Sequence, residues 1–241
     1  MEEIRINKYL SDMGICARRE ADRLIMEGKV LVDGRPALTG MKIRRDQVVI
    51  CDGKRAAEPE KVLLAVNKPR GIVCTTSQKD RAMNIVEMVD YPVRVYPVGR
   101  LDKDSEGLIF LTNQGELVDQ MMRGSHGHEK EYVVRVDRPV TGEFAGKMAA
   151  GVYLEELDVT TRPCKVRITG EREFHIILTQ GLNRQIRRMC KTFGYHVREL
   201  CRIRIMNIKL GSLETGAWRK VTPEEYGQLT EMLQTENDQE G

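Results

Sequence analysis

From residue 62 onward the chain is a succession of short apolar segments with the length and composition of β-strands, separated by polar turns. Helical patterns occur between some of these segments but do not alternate with them regularly. Strands that come in runs favour a mixed or antiparallel sheet of the α+β class over a parallel sheet of strand–helix repeats. The predicted strands cover 62–67, 93–98, 108–112, 132–136, 165–169, 174–179 and 197–210, the last with a break, and the predicted helices cover 116–123, 183–193 and 223–233.

The first 50 residues form a separate pattern. Two short helices, the first with Asn7 as its predicted N-cap, precede two strands, and Asp33-Gly34 is a strong hairpin signal. The following stretch, 51–61, is polar and contains glycine and proline, as linkers do. We therefore predict four parts: a small α/β domain at 1–50, a linker at 51–61, a larger domain at 62–234 and a disordered acidic tail at 235–241.

The charge of the chain is balanced in total but uneven along its length. Thirty-nine basic and 36 acidic residues give a net charge of +3, which by itself indicates no partner. Between 181 and 209, eight Lys or Arg residues accompany one acid, Glu199, whereas 223–241 contains six acids and no base. A concentrated basic segment is typical of a nucleic-acid-binding surface, although a solvated helix face explains the charge equally well.

The sequence also indicates a compartment. The longest apolar stretches run five or six residues, far short of the roughly 20 that a membrane span needs. The N-terminus has no apolar core of a secretory signal, so we expect a cytoplasmic protein that does not enter a membrane. The six cysteines lack zinc-site spacing, and we interpret them as small apolar residues in a reducing compartment. His126 and His128 have no third ligand nearby in the sequence, and we predict no metal site.

The segment 99–108 (GRLDKDSEGL) is the most concentrated candidate for chemistry. Asp102 lies in a polar turn between two apolar strands, with Arg100 and Lys103 beside it. A carboxylate near fixed cations stays ionised, and an ionised carboxylate can act as a nucleophile. The segment also matches the start of a calcium-binding EF-hand loop, but position twelve is Asn113 instead of glutamate, which excludes that assignment. The spacing alone leaves open whether Asp102 is catalytic or only builds a loop.

The helix predicted at 183–193 carries an apolar stripe at the helical period. Arg187 borders this stripe, so we expect it to be half-buried and to need an acidic partner, preferably a carboxylate bound at both oxygens. Three further cations on the far side are predicted to be free for phosphates: Arg184, Arg188 and Lys191. An ordinary amphipathic helix with a solvated basic face explains the same pattern.

Cations are also dense on the two short helices of the first 50 residues and at their exit: Arg5, Lys8, Arg18, Arg19, Arg23 and Lys29. Recognition of RNA by its shape relies on such phosphate contacts. A solvated face, balanced by Glu20, Asp22 and Glu27, is the alternative. Tyr132 opens a predicted strand, where its ring either packs in the sheet or stacks on an extruded base.

Four ordered motifs and the N-terminal segment together resemble a known family. The motifs are NKPRG at 67–71, GRLD at 99–102, KEY at 130–132 and GLNRQIRRM at 181–189. They resemble the ribosomal RNA pseudouridine synthases of the RsuA/RluB/RluE/RluF type, and residues 5–34 resemble the S4 RNA-binding domain that precedes the catalytic domain in that family. The segment RIMNI at 204–208 is most similar to the RluF branch, which acts on 23S rRNA.

The resemblance implies that the chain isomerises a uridine in RNA to pseudouridine without a cofactor or metal, on a mixed, largely antiparallel sheet flanked by helices. It implies that Asp102 is the nucleophile and that Arg187 is its ion-pair partner. It also implies that Tyr132 stacks on the base and is close enough to help with proton transfer. Three further residues are assigned to the pocket: Arg100, Leu101 and Leu200. The implied substrate is 23S rRNA or its precursor particle, with a tRNA as a second candidate, bound by a monomer.

Two other functions are compatible with parts of the sequence. A non-catalytic ribosome-assembly factor would share the N-terminal domain and the basic helix but has no use for a pair of Asp102 and Arg187. A uridine methyltransferase with a cysteine nucleophile would need S-adenosylmethionine, for which no glycine-rich loop follows a strand. An assay of RNA for pseudouridine separates the enzyme predicted above from both.

Overall fold

The computed structural model describes residues 3–57, 59–75, 82–122 and 127–238. The chain divides into two compact units. The first unit comprises Met1–Val62, Tyr91–Tyr96 and Thr112–Gly115, and the second comprises Leu63–Asp90, Pro97–Leu111 and Glu116–Gly241. No helix in the described ranges is long and apolar enough to cross a membrane.

The first unit packs two helices against two small sheets. Its elements are β1 Glu3–Arg5, α1 Ile6–Asp12, α2 Arg18–Met26, β2 Val30–Val32, β3 Arg35–Pro36, β4 Lys42–Arg44, β5 Val49–Cys51 and β6 Lys54–Arg55. β1 pairs with β4, and the other strands form an antiparallel sheet in the order β3-β2-β5-β6. The apolar faces of both helices and of the strands meet in one core, whose fully buried members include Ile6, Leu10, Val30 and Ile43.

Two predictions about local structure in this unit have different outcomes. The hairpin at Asp33-Gly34 is confirmed, since both residues have positive φ, 48° and 80°, and join β2 to β3. The N-cap prediction for α1 is wrong, because Arg5 holds that position and the Asn7 amide donates to the Asp22 carboxylate at 3.0 Å. Asn7 therefore links the two helices instead of capping the first.

The predicted linker at 51–61 is only partly irregular. Cys51 ends β5, and the chain turns back at once into β6, so the sheet extends into residues that were predicted to be linker. Farther along, Val62 N donates to the Asn113 side chain at 2.9 Å, and the Asn113 amide donates to the Glu60 carbonyl at 2.8 Å. The end of this segment is therefore fixed by side-chain hydrogen bonds.

One large sheet organises the second unit. The strands are β7 Leu63–Lys68, β8 Tyr96–Val98, β9 Glu106–Thr112, β10 Lys130–Val136, β11 Tyr153–Leu154, β12 Val159–Thr160, β13 Lys165–Gly170, β14 Glu173–Leu178, β15 Val197–Ile205, β16 Ile208–Lys209 and β17 Trp218–Lys220. The helices are α3 Ile85–Val89, α4 Gly115–Met122, α5 Gly142–Ala149, α6 Gln185–Thr192 and α7 Pro223–Asp238, and a 3-10 turn covers Glu155–Leu157.

The order of the large sheet is β13-β14-β10-β15-β9-β7-β17, with β16 beside β15 and β8 beside β9. Antiparallel pairs dominate it, as between β10 and both of its neighbours. β9 and β15 are paired in parallel at the middle of the sheet. The predicted α+β fold with a mixed, largely antiparallel sheet is therefore confirmed.

Two apolar clusters pack the helices onto this sheet. One lies between α5, α6 and the strands β10, β14 and β15, and its fully buried members include Phe174, Ile176 and Met189. The other surrounds β7 and β9 with α4 and α7, and it includes Phe110 and Leu229. The apolar stripe predicted for 183–193 is confirmed, since the buried residues of α6 recur at the helical period.

The sequence patterns do not predict α3, α5, β11, β12 or β17. Each of these elements is short, and Gly142 and Gly146 lower the helix propensity of α5. A strand of two or three residues carries too little alternation to be recognised. The break predicted within 197–210 is confirmed at Met206, whose positive φ of 51° separates β15 from β16.

The last helix begins as predicted and ends later. Its capping box is confirmed, because Glu225 N donates to Thr222 Oγ1 at 3.2 Å and Thr222 N donates to the Glu225 carboxylate at 3.0 Å. The tail predicted to be disordered from 235 is helical as far as Asp238. The rest of that predicted tail, 239–241, lies outside the described residues.

Candidate active site

A cleft of about 1290 Å³ opens in the second unit. Its walls come from the loop between β8 and β9, the turn after β7, strands β10 and β15, and the segment that leads into α6. Seven of the predicted site residues line it: Arg100, Leu101, Asp102, Tyr132, Arg184, Arg187 and Leu200. The structure thus brings together residues that are up to about 100 positions apart in the sequence.

The loop that carries Asp102 is closed by main-chain hydrogen bonds. Ser105 N donates to the Asp102 carbonyl at 3.0 Å, which makes a tight turn just before β9. Gly71 N donates to the Lys103 carbonyl at 2.8 Å, which joins the loop to the turn after β7. The Asp102 side chain stays 35% exposed, so its carboxylate is open to the cleft.

Sequence reasoning assigns no role to Lys68, which lies inside the turn after β7. Its side chain is fully buried, and its ammonium donates to the carbonyls of Pro69 at 2.8 Å and of Ile72 at 3.0 Å. Burial lowers the pKa of Lys68. The lysine therefore satisfies carbonyls in the turn that supports the aspartate loop. A lysine that follows the apolar run at 62–66 and directly precedes proline is the sequence signal for such a role.

Two arginines near the start of α6 bind the acids of this loop. Arg184 donates to both carboxylate oxygens of Asp104, at 3.0 and 2.9 Å, and lies 3.7 Å from the Asp102 carboxylate. Arg187 Nε lies 3.4 Å from the Asp104 carboxylate, and its Nη2 donates to the Asp104 carbonyl at 2.9 Å. Among the described residues, the predicted ion pair of Asp102 with Arg187 is therefore not formed. Arg184 takes the place beside Asp102.

The backbone explains this difference. Arg184 stands directly before α6 in a left-handed conformation, with φ of 51°, which aims its side chain at the loop. Arg187 is one turn further on and half-buried as predicted, and its Nη1 donates to the Val197 carbonyl at 3.3 Å. The hydrogen bonds from Arg184 lower the pKa of Asp104, whereas burial lowers the pKa of Arg187.

The opposite wall of the cleft is formed by β10 and β15. Tyr132 pairs with Arg202, whose guanidinium carbon lies 5.9 Å from the centre of the tyrosine ring. Leu200 is 6% exposed at the cleft wall. Lys130 also lines the cleft, and its ammonium donates to the His128 carbonyl at 3.3 Å. Burial, together with the charge of Arg202, lowers the pKa of Lys130 to about 8.

The predicted RNA-binding cations of α6 are not all free. Arg188 and Lys191 both contact the Glu156 carboxylate, Lys191 at 2.8 Å. Arg184 is engaged with the Asp104 carboxylate. The prediction that these three residues are free for phosphates is therefore wrong, because acids from other elements lie within reach of them.

Of the predicted RNA-binding cations of the first unit, two are in ion pairs and four are not, within the part of the chain that the structure describes. Arg23 contacts Glu20 and, at 2.8 Å, Glu27, and Lys29 also lies 2.8 Å from Glu27. Four others are at least partly exposed and make no ion pair with the residues that the structure describes: Arg5, Lys8, Arg18 and Arg19. These four are the cations that the first unit leaves available to a ligand.

Cysteine and histidine side chains of the described ranges form neither a metal site nor an activated cysteine nucleophile. No group of three or more His, Cys, Asp or Glu side chains there could hold a metal ion. Cys74 lines the cleft, but burial raises the pKa of its thiol, which disfavours a cysteine nucleophile at neutral pH. His128 is buried with its Nε2 3.2 Å from the Gln120 carbonyl, and His126 lies outside the described residues.

Comparison with known proteins decides what this cleft belongs to. The family model of RNA pseudouridylate synthases matches residues 62–192, and that of S4 domains matches residues 4–49. The chain belongs to the RNA pseudouridine synthases. The resemblance inferred from the four motifs and the N-terminal segment is confirmed.

Individual relatives agree with this assignment. The synthase is 48% identical, over 98% of its length, to the dual-specificity RNA pseudouridine synthase RluF of Escherichia coli strain K12, of which it covers 81%. It is 33% identical, over 93% of its length, to the ribosomal large subunit pseudouridine synthase B of Bacillus subtilis strain 168, of which it covers 95%. A solved structure described as a pseudouridylate synthase matches 94% of this chain and 99% of that chain, with a TM-score of 0.70 at 27% identity.

The enzyme is therefore an isomerase that acts on RNA and forms pseudouridine, and the assembly factor and the methyltransferase are set aside. A base inside a helical stack is out of reach, so enzymes that do chemistry on a base bind it in an extruded position. The cleft, at about 1290 Å³, has the volume to hold a nucleotide and is lined by both an acid and an aromatic ring. The geometry of the cleft therefore suits the activity of the family.

Replacing Arg187 with alanine is expected to slow pseudouridine formation at saturating RNA by about 100-fold, because a loop displaced by about 1 Å misaligns the reacting groups. The change removes the hydrogen bonds that tie the Asp104 and Val197 carbonyls to α6. Single-turnover kinetics measure it. Arg172→Ala, on an exposed turn outside the cleft, is the control and should retain the full rate. A full rate for Arg187→Ala would contradict its positioning of the loop.

Proposed function

We propose that this synthase converts a specific uridine of 23S ribosomal RNA, in free RNA or in a precursor particle, to pseudouridine with Asp102 as the nucleophile. The observation that carries the proposal is the position of Asp102, whose partly exposed carboxylate shares one cleft with Tyr132 and with the guanidinium of Arg184. The Bacillus subtilis relative is named for the ribosomal large subunit, and the Escherichia coli relative is named as dual-specific. A tRNA is therefore included as the second substrate to be tested.

The proposed reaction starts with binding of the folded RNA and extrusion of the target uridine into the cleft, at a cost of a few kcal/mol for unstacking. Tyr132 stacks on the base, and Leu200 provides an apolar surface beneath it. Asp102 attacks either C6 of the uracil or C1′ of the ribose. The C1′–N1 bond breaks, the base rotates and C5 bonds to C1′. The bond to Asp102 breaks, which returns the free carboxylate. C5 loses its proton, with Tyr132 close enough to assist, and N1 takes up a proton.

The exposed cations give the proposed substrate two places to bind. Arg100 lies at the rim of the cleft, and Arg5, Lys8, Arg18 and Arg19 lie on the S4 unit. Phosphate contacts of this kind position an RNA without reading its sequence. We also propose that the enzyme acts as a monomer in the cytoplasm, which sedimentation of the free and RNA-bound enzyme and localisation of a tagged chain would test.

Replacing Arg18 and Arg19 together with alanine is expected to weaken RNA affinity and to lower the salt dependence of binding by about two units of slope, since each phosphate contact contributes about one. Both side chains are exposed. Arg23→Ala is the matched comparison on the same helix, and it should have a smaller effect because Glu20 and Glu27 already neutralise its charge. Titrations at several salt concentrations measure both. Equal slopes for the wild type and the double variant would exclude these contacts.

Mapping of pseudouridine in total RNA, from cells with and without this enzyme, tests the proposed substrate. We expect one or a few sites in 23S rRNA to lose pseudouridine when the enzyme is absent and to regain it when purified enzyme is added. A tRNA site that behaves in the same way would establish the second substrate. Unchanged 23S rRNA, with loss of pseudouridine confined to other RNA, would refute the ribosomal assignment.

A further inference from the structure

Two cations on the inner wall of the cleft have no carboxylate within 4 Å among the described residues: Lys130 and Arg202. Arg202 is 4% exposed; its Nε donates to the Leu108 carbonyl at 2.7 Å, and its Nη2 is buried without a hydrogen-bond partner. Lys130 donates to the His128 carbonyl at 3.3 Å. Both side chains line the cleft that contains Asp102.

Arg204, two residues further along the same strand β15, is an arginine whose charge is neutralised. It donates to Glu131 at 2.9 Å and to Glu129 at 3.0 Å, so two acids of the segment around β10 accompany it. A buried charge without a partner is unfavourable. Because the cleft wall holds two such cations together, a ligand in the cleft is the partner that would satisfy them.

The position of the pair indicates which part of the RNA it contacts. The cations at the rim are exposed and suited to phosphates, which remain in water: Arg70, Arg100, Arg162 and Arg198. The half-buried Lys130 and the buried Arg202 instead lie in the wall of the cleft that Tyr132 also lines, and Arg202 lies against the tyrosine ring, where a planar base is the group that fits. Uracil presents two carbonyl oxygens, which accept hydrogen bonds, and an ammonium and a guanidinium are both donors.

The reaction gives these oxygens a charge. When the C1′–N1 bond breaks, its electron pair stays with the uracil and spreads over N1 and the carbonyl oxygens. C5 then bonds to C1′, and the bond that Asp102 made, to C1′ or to C6, breaks and returns the free carboxylate. The proton on C5 is released, and N1 takes one up. The nucleoside keeps its atoms and its total charge, and the ring carries negative charge while the base is detached.

We propose that Lys130 and Arg202 hold the carbonyl edge of the extruded uracil and stabilise its negative charge while it is detached from the ribose, an inference that rests on the proposed function. Contacts that strengthen as charge develops accelerate the reaction, whereas contacts of equal strength before and during it only improve binding. The lowered pKa of Lys130, about 8, still leaves most of its side chains as ammonium at neutral pH.

The test compares Lys130→Met and Lys130→Arg with the wild type in single-turnover reactions at saturating RNA. We expect Lys130→Met to react about 100-fold more slowly, which is the effect of removing one hydrogen-bond donor from a developing charge. Its RNA affinity should stay within about twofold of the wild type. Lys130→Arg retains a cation and should stay within about tenfold of the wild type. Lys130→Met should unfold at the same or a higher temperature, because it removes a desolvated charge. Lys147→Met, at an exposed site on α5, is the matched control and should behave as the wild type.

Three results would overturn the proposal. One is a wild-type rate for Lys130→Met. Another is a loss of affinity at an unchanged saturating rate, which would assign Lys130 to a phosphate. The third is an equal loss of rate in both variants with a lower unfolding temperature, which would make its role structural. Since product is measured in whichever RNA the wild type modifies, a wrong ribosomal assignment appears as wild-type product elsewhere and leaves this comparison intact.

Discussion

Asp102→Asn is expected to abolish pseudouridine formation, with a single-turnover rate at least about 1,000-fold below that of the wild type, because an amide of the same shape is not a nucleophile. RNA affinity should stay within about twofold. The fold should also survive, since Arg184 keeps its two hydrogen bonds to Asp104 when the Asp102 charge is removed. Pseudouridine in the RNA after long incubation measures the first result, and binding titrations measure the second.

The control is Asp104→Asn, because Asp104 is a second carboxylate two residues away in the same loop. Asp104 is held by Arg184 and lies 3.4 Å from Arg187, so it orders the loop and is not free to attack a substrate. We expect Asp104→Asn to slow the reaction through a looser loop without abolishing it. Product from Asp102→Asn at the wild-type rate, or a complete loss confined to Asp104→Asn, would move the nucleophile to Asp104.

Features that depend on neighbours in the sequence are predictable. The Asp33-Gly34 hairpin, the Thr222 capping box and the buried stripe of α6 each follow from a few adjacent residues, and all are found in the structure. The order of the four motifs likewise suffices to recognise the family, because each motif marks a separate wall of one cleft. The sequence therefore predicts the fold class and the position of Asp102 in a pocket.

The partners of charged side chains are less predictable, because they depend on which segments, far apart in the sequence, the fold brings together. Arg184 and Arg187 lie about 80 residues from the loop acids. Which arginine meets which acid is decided by the left-handed conformation of Arg184, and periodicity alone does not reveal it. The same holds for Arg188 and Lys191, whose predicted freedom is removed by Glu156 from another part of the chain.

A register shift explains why Arg202 is missed. In a regular strand Arg202 and Arg204 would point to the same face, because side chains alternate. The pairing of β10 with β15 shifts between Glu131 and Tyr132, so that Glu131 is opposite Arg204 and Tyr132 is opposite Arg202. The irregularity separates a neutralised arginine from one that lines the cleft. Only the paired strands reveal it.

Gly107→Ala is expected to destabilise the second unit by at least about 3 kcal/mol, through overpacking and backbone strain together. Gly107 has φ of 102°, and a Cβ there would lie 2.3 Å from the Arg202 carbonyl oxygen and 2.6 Å from the Arg202 nitrogen. Both atoms belong to the backbone of β15, which pairs with β9 at this point. The clash is relieved only if the two strands separate. Urea and thermal unfolding of the variant measure the loss.

Gly216→Ala separates the clash from the strain. Gly216 also has positive φ, 84°, but nothing lies within 4 Å of the position of its Cβ, so only the conformational cost of about 1–2 kcal/mol for a left-handed alanine applies. A much larger loss of stability at Gly107 than at Gly216 would show that close packing of β9 on β15 fixes the strand into which the Asp102 loop leads. Equal losses of stability in the two variants would mean that β15 moves away from β9 at little cost. The position of the Asp102 loop would then depend on contacts other than this strand pair. Activity of Gly107→Ala below its unfolding transition completes the test, because a displaced β9 moves Asp102 with it.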